Sequence, residues 1–293
     1  MKISVIVGIL GCALVTLVVA LYVATSPRIA TSFWNQYIFF PTNDDHPVYH
    51  LQSIQGCPVE NLSIKTSHDA TVHALFFKQP RSEKVAILSH GNAGHLCHRL
   101  YVIETLLQSG VSVLAYDYQG FGKSTGTPSV EGICEDGTAV YNYAVHQLGY
   151  RGKDIILVGE SLGCGVSAEV ARNHECAAII LQSGFASIPQ LARERVELCR
   201  VYPDILYPQP ILNTTANLRQ IHVPVLIIHG SDDELIPCSH ATQNYEAANK
   251  PKSILIIEGA NHNDCQQIDP PAYKHAYVTF ISSLLKKQLA AGK

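Results

Sequence analysis

The chain has 293 residues, 47% apolar and 15% charged, with a formal net charge of -3. This balance supports a sizeable core and excludes a disordered chain, and the absence of any basic block leaves no electrostatic footprint for nucleic acid. Nine cysteines are scattered with no C-x-x-C pair, which excludes a zinc ribbon, a thioredoxin-like site and a dense disulfide framework; most are expected to be buried free thiols.

Between Lys2 and Arg28 no charged residue occurs. As a helix these residues extend about 37 Å, enough to cross a hydrocarbon core of about 30 Å, so residues 1–27 read as a membrane anchor ended by Pro27. A cleaved signal peptide is the competing reading and would make the product secreted or periplasmic, but its apolar region is usually shorter. Lys2 ahead of the run and the scarcity of positive side chains after Arg28 bias the remainder towards the non-cytoplasmic side. A juxtamembrane segment, 28–56, follows, in which Trp34, Tyr37, Phe39 and Phe40 suit either a lipid interface or a first packing layer. Asn61 and Asn213 head N-x-[ST] triplets, glycosylation acceptors only where the compartment allows.

From there to the C-terminus, 57–293, the pattern is that of one domain. "VENLSIKT" and "TVHALFFK" alternate as antiparallel strands do. The runs at 85–90, 111–117, 154–159, 177–183, 223–230 and 253–259 are almost continuously apolar, as expected of strands covered on both faces. Helical stretches lie between and after them, at about 96–108, 130–148, 161–173, 238–249 and 270–289. This alternation predicts a mostly parallel central sheet with helices on both faces, its active residues at the carboxyl ends of the strands. Residues 184–222 exceed an ordinary connection, hold Pro203, Pro208 and Pro210, and read as a lid or substrate-facing insertion with a short helix near its start.

Gly159-Glu160-Ser161-Leu162-Gly163 is G-x-S-x-G between an apolar run and a helical pattern, the setting of a nucleophile elbow. A serine hydroxyl needs a histidine to take its proton and a carboxylate to orient that histidine. Downstream, Asp233 and His262 both follow apolar runs; Asp232 and Asp264 rival the acid, and His229 and His222 rival the base. A tetrahedral intermediate needs two N–H donors, for which the backbone of Leu162 and that of Asn92 in "SHGNAGH" are the candidates, with Ala93 as the alternative to Asn92. Gly122-Lys123-Ser124 resembles the tail of a P-loop, but Asp117 stands where its first glycine belongs, so no nucleotide is expected; Gly120, Gly122 and Gly126 read as turn residues that, with Asp117, shape the cleft wall, and Lys123 as solvated. His95 and His98 flank Cys97 without a further ligand nearby, and the expected chemistry needs no metal or organic cofactor.

Together "SHGNAG", "YDYQGFGKSTGTPS", "GESLGCG", "HGSDDELIP" and "GANHND" resemble one family over about residues 57–285. The chain is similar to the small membrane-associated α/β-hydrolase-domain serine hydrolases, whose relatives include protein depalmitoylases. The resemblance implies an α/β-hydrolase fold and a triad of Ser161, Asp233 and His262; the H-G-x-x-D-x-x-[IV]-P spacing from His229 favours Asp233 over Asp232. The depalmitoylases carry an N-terminal cysteine cluster, whereas here Cys12 lies alone in an apolar run, as in single-pass anchored relatives. The implied activity is cleavage of esters or thioesters, with an acyl ester or thioester substrate and the lipid bilayer as partners. A serine peptidase or amidase, and a catalytically idle membrane-tethered binding module, are the alternatives.

Overall fold

A central sheet organises the computed structural model, which describes residues 2–67, 69–80 and 82–291. Its principal strands are β1 (Cys57–Lys65), β2 (Thr71–Phe77), β3 (Val85–Ser89), β4 (Ser112–Tyr116), β5 (Ile155–Glu160), β6 (Ala178–Gln182), β7 (Val225–Gly230) and β8 (Lys252–Ile257). They lie in the order β8-β7-β6-β5-β3-β4-β2-β1, with the two-residue strand Ser53–Ile54 beyond β1. All pairings from β8 to β4 are parallel, whereas β2 runs antiparallel to both β4 and β1. The mostly parallel sheet expected from the sequence is therefore present, the alternating first runs forming its antiparallel edge.

The helices, in chain order, are α1 (Lys2–Ala24), α2 (Thr31–Ile38), α3 (Leu100–Gln108), α4 (Val130–His146), α5 (Leu162–Asn173), α6 (Ile188–Arg195), α7 (Thr214–Leu218), α8 (Ser239–Ala247), α9 (Cys265–Ile268) and α10 (Pro270–Ala291). Burial between them explains why the central strands are apolar throughout. Ile87 of β3 belongs to one buried layer, with Ile133 and Val140 of α4 and Val166 and Val170 of α5. Its neighbours Ala86 and Leu88 belong to the opposite layer, with Ile103 and Leu106 of α3 and Tyr273, Tyr277 and Ile281 of α10. Each large aliphatic side chain contributes about 1.5–3 kcal/mol by leaving water, so a polar residue in the middle of β3 would face an apolar layer whichever way it pointed.

Two further parts frame the carboxyl edge of the sheet. Residues 184–222, read from the sequence as an insertion, form the connection from β6 to β7, its base closed by an antiparallel bridge between Ser187 and Asn213. It carries α6, 3-10 turns at Glu197–Val201 and Asp204–Leu206, and α7. The other part is N-terminal. Helix α1 includes the window Ile6–Ala24, whose mean hydropathy of 2.7 and lack of burial make it long and apolar enough to cross a membrane.

The segment after α1 packs into the body. Helix α2 buries Trp34 in a small cluster with Cys199, Tyr202 and Tyr207 of the insertion, and the Trp34 indole N–H donates to the Thr25 carbonyl at 3.1 Å. Phe40–Pro41 then pairs in parallel with Ala93–Gly94. Trp34 thus serves packing, whereas the rings of Phe33, Tyr37 and Phe40 stay exposed. Both glycosylation candidates have engaged side chains: the Asn61 amide donates to the Tyr49 carbonyl, and the Asn213 side-chain oxygen accepts from the Ala216 N–H and caps α7. All nine cysteines lie among the described residues and are free thiols.

Candidate active site

Ser161 stands between β5 and α5 with φ 52° and ψ -114°, a backbone conformation that costs about 1–3 kcal/mol and persists only when its surroundings enforce it. The flanking glycines allow that turn. A side chain at residue 163 would run into the backbone carbonyls of Ser89 and His90, and one at residue 159 into the backbone of Gly163 and Cys164. Their absence lets α5 start hard against β3 and β5, presenting the serine at the carboxyl edge. The Ser161 N–H donates to the Gln182 carbonyl at 2.9 Å, fixing the turn from β6.

The loops after β7 and β8 bring their residues to the same point. His262 Nε2 lies 2.9 Å from Ser161 Oγ, and His262 Nδ1 lies 2.7 Å from Asp233 Oδ2. With Nδ1–H donating to the carboxylate, Nε2 is left to accept the serine proton. Asp233 Oδ1 accepts the N–H groups of Leu235 at 2.9 Å and Ile236 at 2.8 Å, and His229 Nε2 lies 3.1 Å from Oδ2. Burial alone would raise the Asp233 pKa, but hydrogen bonds from His229, His262 and the Ile236 N–H hold it well below the usual carboxylate range.

The rival residues are elsewhere. Asp232 is exposed and accepts from the Ser231 hydroxyl at 2.7 Å, while Asp264 accepts the Asn261 N–H at 2.6 Å. His222 is exposed. His229 is fully buried behind Asp233 and shares its one Nε2–H with the Ile236 carbonyl at 2.9 Å, so it holds the Asp233 loop. That supporting position was readable only in outline, because a histidine ending an apolar strand equally suits core packing.

Asn92 and Leu162 line the same cavity as Ser161 and His262. Leu162 is the first residue of α5, where the helix N-terminus adds partial positive charge. Asn92 is clamped by the N-terminal segment: its side chain donates to the Ile38 carbonyl at 2.8 Å and its carbonyl accepts the Phe40 N–H at 2.8 Å. Arg99 ties the same loop to the elbow, its Nε lying 2.9 Å from Glu160 Oε2 and its Nη2 donating to the Ala93 carbonyl at 3.3 Å.

The cavity measures about 550 Å³, within the usual range for small-ligand sites of about 300–1,000 Å³. Its wall draws Trp34 and Ile38 from α2, Leu191 from α6, Leu198 from the insertion and Leu235 from the loop after β7. The α2 contribution has a sequence signal, since Trp34 and Ile38 are four residues apart on one helical face.

Gly120, Gly122 and Gly126 do not line the cavity, and Asp117 too departs from the expected cleft wall. It is fully buried, accepting from the Tyr49 hydroxyl at 2.6 Å and the Leu96 N–H at 2.6 Å, and burial pushes its pKa up to about 6. These two partners come from remote segments, which turn the carboxylate inward. Gly120, Gly122 and Gly126 have positive φ, as a turn requires. Lys123 lies 2.8 Å from Asp45 and above the Tyr49 ring, so it is partnered rather than simply solvated. His95 and His98 stack at 4.1 Å with His95 bonded to Asp44, and no metal-binding cluster occurs among the described residues.

Comparison with known proteins places this architecture. Residues 80–213 match the family described as serine aminopeptidase, S33. Alpha/beta hydrolase domain-containing protein 17C of Mus musculus is 31% identical over 214 residues, covering 71% of this chain and 63% of that protein, so the match leaves over a third of the relative's length unspanned. The uncharacterized protein YfhR of Escherichia coli O157:H7 is 28% identical over 278 residues, covering 92% of this chain and 94% of its own length. Among solved structures, an esterase of Pyrococcus furiosus superposes with a TM-score of 0.68 at 20% identity, covering 84% of this chain and 98% of that one. Est1E from Butyrivibrio proteoclasticus, solved with ferulic acid bound, gives 0.65 at 24% identity, covering 77% and 99%. In strand order and in overall superposition the chain has the α/β-hydrolase fold, and in sequence it is similar to α/β-hydrolase-domain proteins.

Proposed function

We propose that the protein is a membrane-anchored serine hydrolase that cleaves carboxylic ester or thioester bonds of apolar acyl substrates through an acyl-Ser161 intermediate. The observation that carries this reading is the hydrogen-bonded chain Ser161–His262–Asp233 opening on an apolar cavity. His262 Nε2 takes the hydroxyl proton as Ser161 Oγ attacks the carbonyl carbon, and the backbone N–H groups of Leu162 and Asn92 receive the oxyanion. His262 returns the proton to the departing alcohol or thiol, leaving the acyl group on Ser161. Water then attacks, giving its proton to His262, and the carboxylic acid leaves as Ser161 is restored. Asp233, kept anionic by its donors, stabilises the imidazolium in both halves.

Anchoring by α1 is supported by the way its end joins the body. Tyr22 stacks on Tyr202 at 5.1 Å and donates to the Val201 carbonyl at 2.6 Å, and the Thr25 hydroxyl lies 3.0 Å from that of Tyr202. Removal of residues 1–27 would discard all of these contacts. The peptidase alternative is favoured by the family description, but an aminopeptidase must also hold a cationic amino terminus. Among the described residues the cavity wall contains no Asp or Glu, and its one Lys or Arg is Arg195.

A fluorophosphonate probe tests the reading. Mass spectrometry should find the adduct on Ser161 and lose it in Ser161→Ala; folded protein that takes no adduct would favour the idle binding module. Acyl ester, acyl thioester and peptidyl substrates offered side by side then separate the enzyme classes.

A further inference from the structure

The cavity mouth lies beside the foot of α1. Ile29, Phe33, Leu198, Val201, Ile205 and Leu235 are each between 50% and 67% exposed. They come from three segments that meet there: Phe33, Leu198 and Leu235 line the same cavity, while Arg28 binds the Ile205 and Leu206 carbonyls and Tyr22 binds that of Val201. Converging exposed apolar side chains mark an interaction surface. The exposed residues Arg28, Arg195 and Arg200 border them, Arg200 beside Glu197, and such long side chains can reach up to lipid phosphate groups.

We propose that this rim is a membrane-contact surface, seating the hydrolase body on the leaflet from which α1 emerges, so that an acyl chain enters the cavity from the bilayer. Continuity with a bilayer-length helix selects lipid as the occupant. The route of the substrate rests on the hydrolase reading; the seating of the rim does not.

Trp34, the single tryptophan, is 8% exposed and lines the cavity, so it is a native probe of what enters. In the full chain reconstituted into phosphatidylcholine vesicles, phosphatidylcholine brominated on its acyl chains should quench Trp34 emission about twofold, and aqueous iodide should have little effect. Quenching by iodide but not by brominated lipid would overturn the seating. The double variant Val201→Asp/Ile205→Asp, at exposed positions outside the cavity wall, should reduce lipid quenching and cut turnover of a vesicle-embedded long-chain ester about tenfold, with turnover of a short water-soluble ester unchanged. Equal losses on both esters would overturn bilayer entry. Conversion of a dimer to a monomer by that variant, with lipid quenching intact, would assign the rim to a second copy instead. Strong lipid quenching in a wild-type protein that consumes neither ester would retain the seating and reject the hydrolase reading.

Discussion

His262 and Asp233 stand at the cavity with Nδ1 and Oδ2 2.7 Å apart, whereas His90 and Asp117, the same residue types after β3 and β4, are fully buried with Nε2 and Oδ1 3.6 Å apart. Donor supply separates the pairs. Asp233 receives two imidazoles and two backbone N–H groups, and stays anionic. Asp117, more deeply buried, receives the Tyr49 hydroxyl and the Leu96 and Lys123 N–H groups, too little to offset burial. His90 lies 2.7 Å from the Gly91 carbonyl through Nδ1, and burial pushes its pKa down to about 3, so it is neutral at pH 7. The second pair therefore braces the loop bearing Asn92, holding Gly91 at one end and Leu96 at the other. A histidine beside an aspartate becomes a base only when its second nitrogen faces a proton to take.

The strongest test exchanges each acid for its amide. Asp233→Asn should lower kcat about 10,000-fold, the scale seen when the orienting carboxylate of such a triad is lost, with thermal unfolding little changed. Asp117→Asn should keep kcat within about tenfold and lower the melting temperature, because the amide offers one acceptor oxygen where the carboxylate uses one for the Tyr49 hydroxyl and the other for the Leu96 N–H. Equal losses of turnover in steady-state kinetics would erase the distinction between the pairs.

His229 sharpens it. If the additional imidazole keeps Asp233 in place, His229→Phe removes the N–H shared between Ile236 and Asp233, a contact worth up to about 1.5–3 kcal/mol, and kcat should fall about 10- to 100-fold. KM should hold, since His229 does not line the cavity. A variant with wild-type kcat would reduce His229 to a packing residue.

Legibility in the sequence followed the range of the interaction. The strands of the sheet could be read because residues such as Ile87 and Leu88 face apolar layers on opposite sides, and each run carries that demand locally. Ser161 could be singled out because its glycines state a close approach within five residues. Asp233 and His262 could be nominated by their place after apolar runs, but only the fold gives their separation. Trp34 was ambiguous, since its partners Tyr202 and Tyr207 lie far along the chain and an aromatic ring suits a lipid interface as well as a cluster. Asp117 misled for the same reason: Tyr49 and Leu96, which draw it inward, carry no local signature.

The smallest expected effect lies in the pH dependence of stability. The Asp117 pKa rises from its ordinary 3.8 to about 6 in the folded chain, so the stability it contributes is fully present below about pH 4 and is lost as the pH rises through about 6. His90 acts in the opposite sense: its pKa falls from 6.5 to about 3, so its contribution is present above about 6.5 and is lost as the pH falls towards 3. Between about pH 4 and 6 the two slopes oppose each other. Asp117→Asn removes one of them, and groups common to both proteins, Asp136 and Asp233 among them, cancel in the difference. The gap in melting temperature between wild type and Asp117→Asn should therefore narrow from pH 4 to pH 6 in detergent-solubilised protein. A gap that widens over that range would mean that folding holds Asp117 as a carboxylate, and the contrast with Asp233 would then have to rest on cavity access alone.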